Sequence, residues 1–385
     1  MTYFDIHVLQ TVPPSNINRD DSGSPKTAVY GGVRRARVSS QAWKRAVRKA
    51  FEADPATRPE AGTRTRRLPQ VIADELARRV PELAPHKDLA GLAATNAMFK
   101  LDLKKRGDNK RPESEYLLFL GRRQLDQVVE RLAAATSDLV AAGDEAKAVA
   151  DVVARLGLAD LGVTGHPGAV ALFGRMVADA PDVNVDAACQ VAHAISTHAV
   201  ETEFDYFTAV DDELGDAETG AGMIGTIEFN SATLYRYATV DLEELATNLD
   251  DDRDRALDLA VAFGRAFALS MPTGKQNTFA NHTRPDFAMV AVRGDQPVNL
   301  VGAYERPVLP RQNGLMVESV AALLRYWTDQ ESVFGTAPAF VAASYPSWLG
   351  EEVNKIAEPY RLPAPVAFED ALTGVRAALA EGAPR

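Results

Sequence analysis

One cysteine, Cys189, is all the thiol chemistry that 385 residues contain, so no disulfide can form within the chain. A single buried-type thiol fits a reducing compartment. No apolar run reaches the ~18 residues that a membrane-spanning helix needs. Met1 is followed by the strand-like Tyr-Phe-Asp-Ile-His-Val-Leu-Gln rather than by a signal-peptide pattern. The expectation is a soluble, cytoplasmic protein with no membrane association. A phosphate-binding loop for nucleotide hydrolysis is also missing. Pro272-Thr273-Gly274-Lys275-Gln276 has the glycine and lysine, but Leu269 stands where the first glycine belongs and Gln276 where Ser or Thr must follow. Lys275 in a glycine turn still has the reach to touch a phosphate. His193 and His198 lie five apart with no glutamate placed between them as zinc enzymes require, and His7 has no partner at metal-ligand spacing, so neither metal nor cofactor is expected.

The most telling absence is local. Between Ser22 and Ala50 there is no Asp or Glu. Residues 19–51 hold nine Lys and Arg against two acids, Asp20 and Asp21, giving +7 in a chain whose net charge is −11; the remainder therefore carries −18. A concentrated positive field on an acidic protein steers one polyanion and disfavours indiscriminate coating of nucleic acid. A salt-bridged surface helix would interleave Glu with Lys at i, i+4, and this stretch does not. Gly31-Gly32 interrupts the chain, Arg34, Arg35 and Arg37 follow, and Ser39 or Ser40 can cap a helix that begins near Gln41. At ~100° per residue Trp43, Ala46, Val47 and Ala50 share one arc, and Gln41, Lys44, Arg45 and Arg48 share the opposite one. One face packs; the other, with the free N–H groups of the glycine pair and the helix start, makes a phosphate-tracking surface.

Composition is ordinary for a globular protein, 46% hydrophobic and 25% charged, and the length exceeds one compact domain. Residues 3–12 alternate as a strand ended by Pro13-Pro14, with Phe4, Ile6 and Val8 on one side and Asp5, His7 and Leu9 on the other. Residues 55–69 read as a mobile Pro/Gly/Arg linker, 70–160 as helical with an exposed basic loop at 104–112, and 185–200 as a helix. Phe204–Val210 and Met223–Tyr237 read as a long hairpin around an acidic tip at 211–220, bearing Tyr206 and Phe207. Asp241 caps a helix, 253–271 is helical, 286–292 is a strand, and 316–332, 349–357 and 367–381 are helices. The order strand, helix, strand, helix, strand over 3–12, 41–51, 225–240, 253–271 and 286–292 predicts an α+β fold with helices on one face of a sheet.

The stretch SNINRDDSGSPKTAVYGGVRRARVSSQAWKRAVRKA resembles the signature of the CasC family, the RNA-binding backbone subunits of type I-E CRISPR Cascade complexes. GRM at 174–176, AHAISTHAVETEFDYFTAVDD at 192–212, GTIEFNSATLYRYA at 225–238 and GKQNTFA at 274–280 extend the resemblance along the chain, leaving 55–170 mostly outside it. It implies a modified RRM-like (ferredoxin-like) palm from 1–55 and 225–385, helical fingers inserted at 56–190, and a β-hairpin thumb at 200–226. It also implies a non-catalytic subunit that polymerises along CRISPR RNA beside other Cascade subunits and presents the guide for pairing with target DNA. RNA-binding residues expected from motif and resemblance together are Ser15, Arg19, Lys26, Ser39, Gln41, Lys44, Arg48, Met176, Tyr206, Phe207 and Lys275. Met176 is otherwise a core residue, and one of Tyr206 and Phe207 is free to be buried. Two other function classes remain: a metal-dependent ribonuclease cutting target RNA through Asp20/Asp21, as related type III subunits do with an aspartate, and a duplex-DNA-binding regulator, which the −18 remainder disfavours.

Overall fold

The computed structural model describes residues 1–103, 112–209, 223–358, 360 and 362–382. The basic loop expected at 104–112 lies outside the described residues except for Pro112, as does the acidic hairpin tip at 211–220. The chain divides into two compact units, one formed by 1–47, 190–240 and 260–385, the other by 48–189 and 241–259. Both helices and an antiparallel sheet are present, an α+β composition.

Eleven strands occur among the described residues: β1 Tyr3–Ser15, β2 Thr27–Tyr30, β3 Val33–Val38, β4 Gly62–Thr65, β5 Leu118–Gly121, β6 Cys189–Val191, β7 Ala194–Ser196, β8 Glu203–Ala209, β9 Met223–Asp241, β10 Phe287–Arg293 and β11 Phe340–Ser344. The first unit is built on one sheet in the order β11-β10-β1-β9-β7-β3-β2, with β6 and β8 also pairing with β9. Registers such as Ile6↔Val290, Ala288↔Ser344 and Ile195↔Tyr235 run antiparallel.

β1 runs through Pro13 and Pro14 instead of ending there. Its ladder with β10 spans only Tyr3–Leu9, so neither proline removes a bond from that pairing, and a φ near −65° suits extended chain. Both faces of β1 are buried. Phe4, Ile6 and Val8 pack on one side, where the Phe4 ring presses against Gly264 of the helix Arg253–Leu269. On the other side Leu9 joins Tyr235, Tyr237, Phe287 and Tyr304 under the helix Gly314–Phe334. The polar members of that side are satisfied. His7 Nδ1 lies 2.9 Å from the Tyr235 hydroxyl, and Asp5 accepts from the Tyr237 hydroxyl and the Val298 N–H. His7 is thus a core histidine.

The second unit has its own core of Leu76, Met98, Phe99, Val128, Leu132 and Val153, carried by helices that include Leu68–Arg79, Lys87–Phe99, Arg122–Ala134 and Ala146–Ala154. Two expectations fail. The 55–69 stretch is not a linker: Arg58–Glu60 forms a 3-10 turn and β4 pairs with β5 in the register Gly62↔Gly121. Glu60 holds it in place, accepting from Arg255 and from the Gly168 N–H. Nor is 185–200 a helix. Its Ala and Val spacing fits a helix face, but the chain is used as the short strands β6 and β7, which bond to β9 and β3. Tertiary pairing overrides the weak helical preference.

Candidate nucleic-acid interface

The basic block folds as strand, loop, hairpin and helix. Gly31 and Gly32, at φ +59° and +78°, close the two-residue turn between β2 and β3, the left-handed geometry that tight hairpin turns demand. A side chain at Gly31 would also strike the Glu305 carbonyl, 1.6 Å from where Cβ would sit. The glycine pair therefore does not join the helix start as an anion site. It lies at the opposite end of β3, whose six residues span ~20 Å. Arg35 leaves the cationic path as well. It is fully buried, donating to the carbonyls of Tyr30, Ser196 and Tyr304.

The helix Ser40–Ala53 starts where the sequence places it. The Ser39 carbonyl accepts from the Ala42 and Trp43 N–H groups, and its hydroxyl lies 3.4 Å from the Ala42 nitrogen. Trp43, Ala46 and Val47 are buried. Trp43 is clamped from below by Arg236 of β9, whose guanidinium sits 3.8 Å from the ring centroid and donates to Gln10 and to the carbonyls of Phe267 and Ala268. Gln41 and Arg45 are exposed and Lys44 half-buried, so the polar face points outward.

Loop 16–26 folds back over this helix start. The Lys26 N–H donates to Asn18, Asn18 Oδ1 accepts from the Ser39 N–H at 2.8 Å, and Asn16 Nδ2 donates to Gly23 and Glu228. Arg19 is exposed beside its bridge to Pro25. His193, on the β6–β7 link, meets both Arg37 Nη1 and the Ser40 N–H at 3.3 Å. Burial, then the charges of Arg37 and Lys26, hold it below its ordinary pKa, so at neutral pH it is an uncharged acceptor. The turn bearing Lys275 belongs to the same place. Gly274 lies so close to the Ile17 carbonyl that a Cβ would sit 2.3 Å from it, which only glycine permits. Ser15, Arg19, Lys26, Ser39, Gln41, Lys44 and Lys275 thus all sit on or against loop 16–26 and the helix it covers.

The other four expected residues have settings of their own. Arg48, in the portion of the helix that belongs to the second unit, is half-buried with its guanidinium 5.7 Å from the Phe173 ring centroid. Met176, also in the second unit, is 73% exposed, so it is not core. Its neighbour Arg175 is the buried one, donating to the carbonyls of Val183, Phe119 and Gly162 and pulled down to about 10 by burial. Tyr206 and Phe207 sit on β8, opposite Thr226 and Gly225 of β9. Tyr206 is 75% exposed, while the Phe207 ring lies over Gly225. Phe204, two residues before Tyr206 and on the same face, is 61% exposed. Sequence reasoning passed over Phe204, although the period of two that places Tyr206 places it too. Asn18 and Asn230 carry no pattern of their own, and His193, set aside as a zinc ligand, has its place here as an acceptor beside the helix start instead.

The aspartate pair gathers no further ligand around it among the described residues. Asp20 is engaged in its own turn, accepting from the N–H groups of Ser22 and Ser24 and from the Ser22 hydroxyl, which above all keeps its pKa low. Among the described residues no group of three or more His, Cys, Asp and Glu is placed to hold a metal ion. The ribonuclease reading finds no support in this geometry.

The family model described as CT1975-like protein matches residues 4–362. Among solved structures, the chain is similar to a chain of a "CRISPR RNA-guided surveillance complex, pre-nicking", with 32% identity, a TM-score of 0.80, and coverage of 97% of this chain and 99% of that one. It is also similar to a chain of a "CRISPR RNA-guided surveillance complex", with 29% identity, a TM-score of 0.72 and the same coverage. No curated protein sequence matches it.

Proposed function

Because the chain belongs to the CT1975-like protein family, we propose that it is a non-catalytic backbone subunit of a type I-E Cascade-like complex. Copies of it line up along one CRISPR RNA, next to other subunits of the complex, and hold the guide open for pairing with target DNA in cytoplasmic antiviral defence. The observation that carries this reading is that loop 16–26, with Lys26, packs against the start of the helix bearing Lys44 and against the turn bearing Lys275, within a chain that is acidic overall. Such a surface contacts phosphate and sugar, which position a strand without reading its sequence.

In this reading the sheet of the first unit is a modified RRM-like palm, the second unit the fingers, and the β8–β9 hairpin the thumb. An ordinary RRM stacks bases on sheet aromatics. Here Tyr235, Tyr237 and Phe287 are buried in the core with residues of the helix Gly314–Phe334, so they have no free ring face to offer. Base stacking passes instead to Phe204 and Tyr206 on the hairpin, worth ~1–3 kcal/mol per stacked base. Met176, exposed on the second unit, is a further residue that the family resemblance assigns to RNA.

The test is to purify the protein from cells that carry a CRISPR array and sequence the RNA that accompanies it. One size class of repeat-flanked RNA with many different spacers is the expected result. A heterogeneous sample of cellular RNA would contradict the proposal.

A further inference from the structure

Between loop 16–26 and β9 lies a pit of about 20 Å³ lined by Ser15, Asn18, Lys26, Arg37 and Asn230, with apolar groups such as Leu234. That is the room one water-sized oxygen needs, ~10–15 Å³ at the least. Two of its polar side chains are deeply buried: Ser15 is 3% and Asn230 8% exposed. Asn230 Nδ2 has no acceptor among the described residues. A buried amide donor left unpaired is costly, and a bound acceptor removes that cost.

We propose that this pit receives the 2′-hydroxyl of one guide nucleotide, which makes Asn230, with Ser15, the residue that selects RNA over DNA. The inference rests on the RNA-binding reading above and adds the chemical group recognised. Size is the first reason: the pit has room for one oxygen, so a phosphate could enter it only by a single corner. The second is the chemistry of the buried pair. A hydroxyl accepts from Asn230 Nδ2 and donates to Ser15 Oγ, whereas a phosphate oxygen only accepts and would carry charge into a dehydrated site. The third is the half-buried lining. Lys26 and Arg37 supply positive charge beside the pit, where the phosphate next to that ribose stays in contact with water. The 2′-hydroxyl is the group by which a protein distinguishes RNA from DNA.

The experiment compares binding of the full-length protein to one guide-length sequence made as RNA, as the 2′-deoxy strand and as the 2′-O-methyl strand. RNA is expected to bind more tightly than the 2′-deoxy strand, by about two- to tenfold per engaged nucleotide, the worth of one hydrogen bond. The 2′-O-methyl strand, too bulky for the pit, is expected to bind no better than the 2′-deoxy strand. Asn230→Ala is expected to weaken RNA binding by that factor and leave the 2′-deoxy strand unaffected. Equal binding of RNA and the 2′-deoxy strand by the unaltered protein overturns the inference and leaves the RNA-binding reading standing. Parallel weakening of both strands by Asn230→Ala has the same meaning. No binding of any strand overturns both readings. The sugar-modified strands are compared on unaltered protein, so misfolding of a variant cannot imitate the result.

Discussion

Arg34 and Arg35 are neighbours in the chain and opposites in environment. Arg34 is exposed on β3, while Arg35 is buried with its guanidinium donating to three backbone carbonyls. Both entered the charge count on equal terms, yet only a strand's alternation distinguishes them. Arg35→Ala leaves several buried acceptors unpaired and is expected to lower unfolding stability by about 3 kcal/mol. Arg34→Ala is expected to change it by less than ~0.5 kcal/mol. Thermal or urea unfolding of the two variants checks this, and equal losses would contradict it. His7 offers a second test at this scale. Burial, assisted by the charge of Arg293, pushes its pKa from 6.5 down to about 3. Its neutral form is therefore favoured in the fold. That stability is complete above about pH 6.5 and is lost as the pH falls toward 3. His7→Asn should cost more stability at pH 7 than at pH 4.5, since only the histidine takes up a proton on unfolding at the lower pH. A penalty independent of pH would show that His7 is not held neutral.

Among the elements, the hairpin carries its aromatics unevenly. Phe204 and Tyr206 share the open face, and Phe207 is folded onto Gly225. Replacing Phe204 and Tyr206 together by Ala is expected to leave the melting temperature within ~1–2 °C, because exposed side chains away from the core contribute little. Ordered assembly on a full-length guide should weaken markedly. Loss of the protein's unfolding transition in the double variant would mean that the rings belong to the core. The helix Ser40–Ala53 was legible because a buried face, a charged face and a serine cap all agree on one period. Strand β8 was legible from its alternation, and β9 and β10 as strand-like runs, β10 being apolar and buried almost from end to end. The 185–200 stretch was not, because its spacing of Ala and Val suits a helix while two-residue pairings to β9 and β3 decide the outcome. β4 hides in a Gly/Thr/Arg segment, and β11, Phe340–Ser344, is a five-residue strand too short to classify. The site divides the same way. Lys26, Ser39 and Lys44 could be read from charge and caps, whereas Asn230 and His193 depend on which strands meet.

For the molecule as a whole, the reading makes assembly the source of strength. One exposed charged contact is worth ~1 kcal/mol, about fivefold in affinity and easily missed in a single protomer. Copies lined along one RNA would each lose the same contact, so the deficit multiplies. Salt reports this directly. Each phosphate contact on a single strand contributes about 0.7 to the slope of log affinity against log salt. The decisive measurement is therefore a salt titration of the unaltered protein and Lys44→Ala on two RNAs, an oligonucleotide that fits one protomer and a full-length guide. On the short RNA the substitution should reduce the slope by about 0.7. On the long one the reduction should be that amount multiplied by the number of copies bound. The same reduction on both RNAs would contradict repeated, equivalent contacts along a single strand, and with them the account of this chain as a backbone subunit.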